Sequence, residues 1–316
     1  MCKVKSVDEF LRIVFEKIDK ANKKDDDPFN LFWFRGESCD YKETSLVPSA
    51  YRDLIVKANA EKKKGVYSFG NDPSYSYIEM NLRADFDRKA QRYIQLKSME
   101  NTAWNRYFLM QHYNVNTRLL DWTEDAIKAL FFAVKDTDQK NAEDAKVWIL
   151  QPFELNLFTF KKLFNCEIKN PVIPPLSNDI DKRQDLLDEN VKIRLEELTR
   201  RYLTMDFDND NNIDKKNYYP IAIYPPFGDD RMAAQKSCFT IFGNEINGLR
   251  DIIELQDSCS SSSSDKIIDE IVIDGESKKK MLNQLRLIGI DDSSIYPDLD
   301  GLGKSLKSKY EVAYKM

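Results

Sequence analysis

The sequence predicts an α+β fold: a small mixed or antiparallel sheet flanked by several helices, in a single domain with a helical insertion. Three observations carry this expectation. Long segments repeat apolar residues at helical spacing, short apolar runs bounded by proline or glycine read as strands, and the two kinds alternate without a regular βαβ cadence.

Ser6 followed by Glu9 makes a capping box, and Phe10, Leu11, Val14, Phe15 and Ile18 then recur as one helical face, so the chain opens with an amphipathic helix ending near Lys23. The run KKDDDP closes it as an acidic loop, and residues 1–28 form an N-terminal unit ahead of a domain at 29–316. PFNLFWFRG reads as a short buried strand that places Arg35 at its end. From Tyr75 to Met110 the spacing is helical again and broken near Glu100. Its core positions are Ile78, Leu82, Phe86, Tyr93, Leu96, Trp104, Phe108 and Leu109. NVNTRLLDWTED is turn-like at both ends around a short apolar centre, with Thr123 or Asp125 capping a fully buried helix DAIKALFFAV. KVWILQP, YPIAIYPP, SCFTIFG and IIDEIVID are strand-like. A peripheral helical and acidic insertion at about 177–217 and a Ser-rich loop at about 257–265 interrupt them. SKKKMLNQLRLIG is a helix, and SSIYPDLDGLGKSLKSKY is a loop followed by a helix.

Charge and composition narrow the function. Lys plus Arg is 48 and Asp plus Glu 53, a net charge of −5, with neither a basic surplus nor a basic stripe, which argues against a general grip on nucleic acid. The short clusters at Lys62 to Lys64 and Lys278 to Lys280 read as solvated faces. Five scattered cysteines argue against a disulfide framework and a zinc site, and point to a reducing compartment. With no apolar leader or membrane-length run, the expectation is a cytoplasmic protein without a membrane partner.

Three groups of residues could carry chemistry. Arg35, followed by Gly36 and close to Glu37, offers a planar fork suited to a phosphate, a carboxylate or a ribose edge, unless it pairs with Glu37 for structure alone. His112 is the sole histidine, which removes two-histidine metal sets, and a lone histidine at a helix end is more often structural. Gln111, Asn114, Asn116, Thr117, Arg118 and Asp121 crowd the same dozen residues. Such polar density beside an apolar helix requires a binding site or a closed polar network, and Arg118 could simply pair with Asp121. Arg231 and Gln235 lie on a short helical turn before an apolar strand, where Gln235 could hydrogen-bond a ligand. Cys238 has no base beside it in sequence. DFDNDNNID imitates a calcium loop but puts Asn211 and Asn217 where glycine and a bidentate glutamate are needed, so no metal is expected. No glycine-rich phosphate loop occurs.

FWFRGES, MQHYNVNTRLLDWTEDAIKALFFAV, RMAAQKSCFTIFG and the closing SIYPDLDGL, in that order, resemble the FRG domain family, over roughly Phe29 to Leu306. The resemblance implies a bacterial or phage-borne protein, with a role as a toxin or effector in anti-phage defence. Its motif order is also similar to the layout of ADP-ribosyltransferases, with an early aromatic-Arg strand, a middle Ser/Thr segment and a late Glu or Gln. That similarity implies NAD as substrate, with Arg35, Asp121, Gln235 and His112 as catalytic residues and Glu37, Gln111, Thr117, Arg118 and Arg231 as ligand-binding ones. Since the late position holds Gln, a carboxylate or imidazole from Asp121, Glu37 or His112 would serve as acid-base. The alternatives are a non-catalytic sensor that binds a phage protein or a nucleotide signal, and a metal-dependent nuclease built on Asp121 and Glu124.

Overall fold

A computed structural model describes residues 3–22, 31–62, 73–94, 102–136, 143–164, 173, 198–205, 218–225, 230–258 and 266–314. Six strands form one antiparallel sheet in the order β4-β5-β2-β1-β3-β6: β1 Trp33–Glu37, β2 Leu119–Thr123, β3 Ala145–Leu150, β4 Ile221–Ile223, β5 Ser237–Ile241 and β6 Ile268–Ile273. The expected α+β architecture is what forms, with the antiparallel option realised.

The sheet is split at its centre. β1 pairs with β3 at five positions, and β2 pairs with β5 at five, but β1 and β2 share a single register pair, Phe34 with Thr123. Two three-stranded blocks, β6-β3-β1 and β2-β5-β4, are therefore joined at one point and part beyond it. Burial follows the two-residue period of strands. Trp33 enters one apolar cluster with Leu120, Trp122, Trp148 and Leu150, while Phe34 enters the opposite one with Val147 and Ile149.

The helices that cover the Phe34 face are α1 (Val7–Asn22), α5 (Ala126–Val134) and α9 (Lys278–Leu287). The N-terminal helix belongs to this core: Phe10 and Val14 are buried in it, and the preceding Val4 exchanges backbone bonds with Val272 and Asp274 at the sheet edge, both 2.9 Å. α5 starts where the Asp125 side chain accepts from the Ile127 and Lys128 amides, so Asp125 and not Thr123 is the cap. It lies so close to β1 that a Cβ on Gly36 would sit 2.0 Å from the Ala129 carbonyl oxygen and 2.6 Å from the Ala133 nitrogen. Glycine on the strand and alanine on the helix are what let the two backbones touch.

The other face and the sheet's far end carry α2 (Ser49–Lys62), α3 (Pro73–Ile94), α4 (Ala103–His112), α6 (Pro152–Phe164) and α8 (Gly248–Ser258). Between β4 and β5 sits the short α7 (Asp230–Gln235), and the chain finishes with α10 (Asp292–Ile295) and α11 (Leu299–Tyr314).

Several sequence expectations change. β1 runs on to Glu37, so Arg35 is the strand's middle residue, paired with Trp148, and not its end. The apolar centre LLDWT, read only as part of a turn, is the central strand β2. Phe15, Ile78 and Tyr93 are exposed at 60%, 57% and 58%, because the helices carrying them meet the core along a narrower stripe than their apolar content suggests. Residues 198–205, read as part of a peripheral insertion, pack inward and bury Tyr202 completely. Leu96, the acidic loop 206–214 and residues 259–265 of the Ser-rich loop lie outside the described residues. No described helix is long and apolar enough to cross a membrane.

Gly36→Ala drives a methyl group into the α5 backbone. The expected result is a loss of about 3 kcal/mol or more of stability, since both neighbours are main-chain atoms that cannot swing aside; a urea unfolding midpoint equal to wild type would contradict this packing.

Candidate functional site

Where β1 and β2 part, a cleft of about 370 Å³ opens. Arg35 reaches into the gap from β1. Its Nη1 donates to the Asp121 carbonyl oxygen at 2.8 Å, which supplies across the split the kind of bond that a continuous ladder would make. Its Nε donates to Glu37 at 3.4 Å, so the structural pairing weighed from sequence also exists. Nη2 makes no hydrogen bond among the described residues. Glu37 itself is buried and does not line the cleft. It accepts from Ser45 Oγ at 2.5 Å, the Leu46 amide at 3.1 Å and Trp148 Nε1 at 2.9 Å, and serves as the anchor that holds Arg35 from behind.

On β2, Asp121 is solvent-exposed and faces the cleft. A hydrogen-bond chain sets its carboxylate. The Leu119 amide donates to Thr117 Oγ1 at 3.2 Å, that hydroxyl donates to Gln111 Oε1, and Gln111 Nε2 donates to Asp121 Oδ2 at 2.9 Å. Because a carboxylate oxygen accepts, Gln111 turns its Nε2 to Asp121 and its Oε1 to Thr117, and the Thr117 hydroxyl proton therefore goes to Gln111. Asp121 Oδ1 has no hydrogen-bond donor among the described residues. Thr117 is fully buried and stands one bond behind Gln111, so it positions a lining residue and is not one itself.

Arg118 departs furthest from the sequence expectation. It is fully buried and makes no contact with the cleft. Its Nε donates to Glu79 at 2.7 Å, Nη1 to the Phe242 carbonyl and Nη2 to the Tyr202 carbonyl, while its amide donates to the Tyr107 hydroxyl at 2.9 Å. It therefore pairs with Glu79, not with Asp121. Burial opposes its charge and the Glu79 carboxylate more than restores it, so the guanidinium is held above its ordinary range. Tyr107, whose hydroxyl donates to Glu79 at 2.5 Å, is pushed well up by burial and by that carboxylate.

The remaining expected residues do converge. His112 lines the cleft at the end of α4 with its ring edge-on to Tyr113, and Arg231 and Gln235 enter from α7. Gln235 Nε2 donates to the Ile295 carbonyl at 3.3 Å, and its own carbonyl accepts from Thr123 Oγ1 at 2.7 Å, which ties α7 to β2. Arg231 stacks over Tyr296 with its guanidinium carbon 4.7 Å from the ring centroid. Cys238 is fully buried on β5, and burial raises its thiol well above the ordinary range, which agrees with its poor prospects as a nucleophile. Among the described residues, no three or more His, Cys, Asp or Glu gather as metal ligands.

Sequence reasoning missed the walls. Phe34, Phe108, Phe132 and Phe239 make them apolar, and Ser38, Tyr41, Lys135 and Asp136 line the cleft as well. The atoms that claim the space beside Gly36 belong to α5. Only tertiary packing reveals these residues; the aromatic wall reads in sequence as ordinary core.

Comparison with known families places this geometry. The family model of the FRG domain matches residues 30–142, which include β1, α4, β2 and α5 and hence Arg35, Gln111, His112 and Asp121. The chain carries an FRG domain. No curated protein and no solved structure matches it. The matched FRG stretch supplies both lips of the split, while Arg231 and Gln235 come from chain beyond it, so the cleft is completed by later elements.

Arg118→Met leaves Glu79 charged and buried without its cation. The expected cost is about 3–5 kcal/mol, and adding Glu79→Leu recovers part of it. A double variant no more stable than the single one, measured by urea unfolding, would argue against the pair.

Proposed function

We propose that the FRG-domain cleft binds NAD or a closely related nucleotide and catalyses ADP-ribosyl transfer or hydrolysis, as a toxin or effector in anti-phage defence. One observation carries the reading: Arg35 from β1, Asp121 from β2 and Gln235 from the turn before β5 meet in a single cleft. They are separated by up to two hundred residues of sequence, and they follow the order of early aromatic-Arg strand, middle Ser/Thr segment and late Glu or Gln that resembles ADP-ribosyltransferases.

In this reading Arg35, held by Glu37 and the Asp121 carbonyl, presents Nη2 to a phosphate or ribose oxygen. The aromatic walls take the flat base. The volume lies at the small end of the ~300–1,000 Å³ range of ligand sites, which suits one nucleoside half, with the rest of the ligand running over the mouth. The glycosidic bond between ribose C1′ and the nicotinamide nitrogen breaks, and its electron pair leaves with neutral nicotinamide. Asp121, oriented by Gln111, stabilises the positive ribosyl centre through its unpartnered Oδ1. An acceptor hydroxyl, amine or water then bonds to C1′ and gives up its proton to Asp121 or to His112. Gln235, neutral, orients the ribose or the acceptor and does not exchange a proton.

A second reading, a nucleotide sensor without turnover, is favoured by one feature: the late position carries an amide in place of a carboxylate, and its Nε2 is already bonded to the Ile295 carbonyl.

Purified protein with NAD and candidate acceptors is expected to release nicotinamide. Arg35→Ala and Asp121→Asn are each expected to lower that rate by about 100-fold or more; the melting temperature holds in Asp121→Asn and falls in Arg35→Ala, which takes the cation from buried Glu37. Absence of turnover in vitro and in infected cells, together with an NAD-dependent rise in melting temperature, would overturn catalysis in favour of the sensor.

A further inference from the structure

The chain's last helix has its amphipathic pattern inverted. In α11 (Leu299–Tyr314) the residues turned toward the body are small: Gly301 is buried, and Ser305 and Ser308 are half-buried. Gly301 sits against Tyr296, where a Cβ would come 2.0 Å from the carbonyl oxygen, and Ser305 Oγ donates to the Asp291 carboxylate at 2.5 Å. The large apolar residues point the other way. Leu299, Leu302, Leu306 and Tyr310 are exposed at 85%, 44%, 46% and 54%. A surface helix that serves only its own core turns its apolar stripe inward.

Gly303 lies in the same outward stripe. A Cβ there would meet nothing within 4 Å among the described residues, so this chain gives no steric reason for a glycine, which weakens a helix interior. Leu299, Gly303, Leu306 and Tyr310 follow one another at intervals of four, three and four residues, the spacing of a coiled-coil seam. Glycine leaves a hole in that seam, and leucine supplies a knob. If a second copy of α11 lies antiparallel with Leu306 facing its Gly303, the two-fold sets Gly303 against the other Leu306 in return and Leu299 against Tyr310 at both ends. A parallel pair would set glycine on glycine and leave that layer empty. Charge agrees with size. Asp298 and Asp300 stand at the start of the helix, and Lys304, Lys307 and Lys309 in its second half against one acid, Glu311. Antiparallel copies bring Asp300 beside Lys307 on the same flank of the seam, whereas parallel copies superpose like charges. On the other flank the Lys309 stem can cover Leu302. A membrane surface would also take leucines and lysines, but it accounts for neither the glycine nor the acids.

We infer that the outward face of α11 is a self-association surface, through which two copies of this chain pair antiparallel about reciprocal Leu306 and Gly303 contacts. It is independent of what the cleft binds.

The test is analytical ultracentrifugation of the full chain over about 1–200 μM, a range set by the micromolar affinity that a short interface supports. Wild type passes from monomer to dimer as concentration rises. Leu306→Ser raises the dissociation constant by about tenfold or more. Its melting temperature in dilute solution matches that of wild type, because the side chain removed is exposed in the monomer. Asp300→Lys weakens pairing and adding Lys307→Asp restores it, a rescue that a parallel pair would not show. Val56→Ser, which alters an exposed apolar residue on α2, leaves the constant unchanged. A wild type that stays monomeric throughout, equal weakening by Val56→Ser, or no rescue by the second charge reversal overturns the inference. Flotation with vesicles of mixed neutral and anionic phospholipid is the second arm: binding by monomeric wild type that Leu306→Ser abolishes would give the face to a membrane and overturn the pairing as well.

Discussion

The contact on which the site depends is that between Gly36 and α5. With the Ala129 carbonyl and the Ala133 nitrogen where a side chain would be, strand and helix touch backbone to backbone, and no other residue fits on the strand. That contact brings the end of α5, with Phe132, Lys135 and Asp136, to one side of β1. The next residue along the strand, Arg35, points to the opposite face by the two-residue period and turns into the gap toward β2. The conspicuous pair Arg-Gly thus divides its work: glycine sets the helix and arginine sets the cleft.

Two buried carboxylates stiffen this arrangement from behind. Glu37 takes donors from Arg35, Ser45, Leu46 and Trp148, and Glu79 takes Arg118 and Tyr107. Each is costly alone and tolerable because its acceptor positions are met. The Glu79 network ties α3, α4, the residue after β5 and the helical stretch 198–204 to the residue just before β2, so the Thr117–Gln111–Asp121 chain hangs from a fixed point. Precision at Asp121 follows from buried groups that do not line the cleft.

Much of this was legible in the sequence because it is local. The helical spacing of 7–22, the break between α3 and α4, the Asp125 cap and the strand character of WILQ, IAI and SCFTI depend on neighbours within a few residues. The polar crowd at 111–121 was legible as a place where polar groups must be satisfied, but not which would face solvent and which would be walled in. That decision was made by Glu79 and Tyr202, distant in the chain, which captured Arg118 and left Asp121 to Gln111. The strand identity of LLDWT was likewise hidden, since its partners, β1 and β5, are non-local. The exposure of Ile78 and Tyr93 shows the converse limit: apolar spacing indicates a face, but only the neighbouring elements fix how wide that face is.

The late position sharpens the chemistry that any transfer reaction here would need. Glutamine can orient an oxygen or an amide, yet it cannot take up a proton or balance a positive ribosyl centre, so the charge must be supplied elsewhere. The split sheet offers it from β2. Asp121 lies across the gap from Arg35, and its backbone carbonyl and its carboxylate do different jobs: the first holds the guanidinium, the second keeps one oxygen free toward the cleft. A single residue thereby fixes the spacing between a cation that can grip a ligand and an anion that can stabilise its reacting carbon. In a continuous sheet, the Asp121 carbonyl would instead be consumed by a ladder bond to β1 and the cleft would close, so the break between β1 and β2 is what makes the site possible.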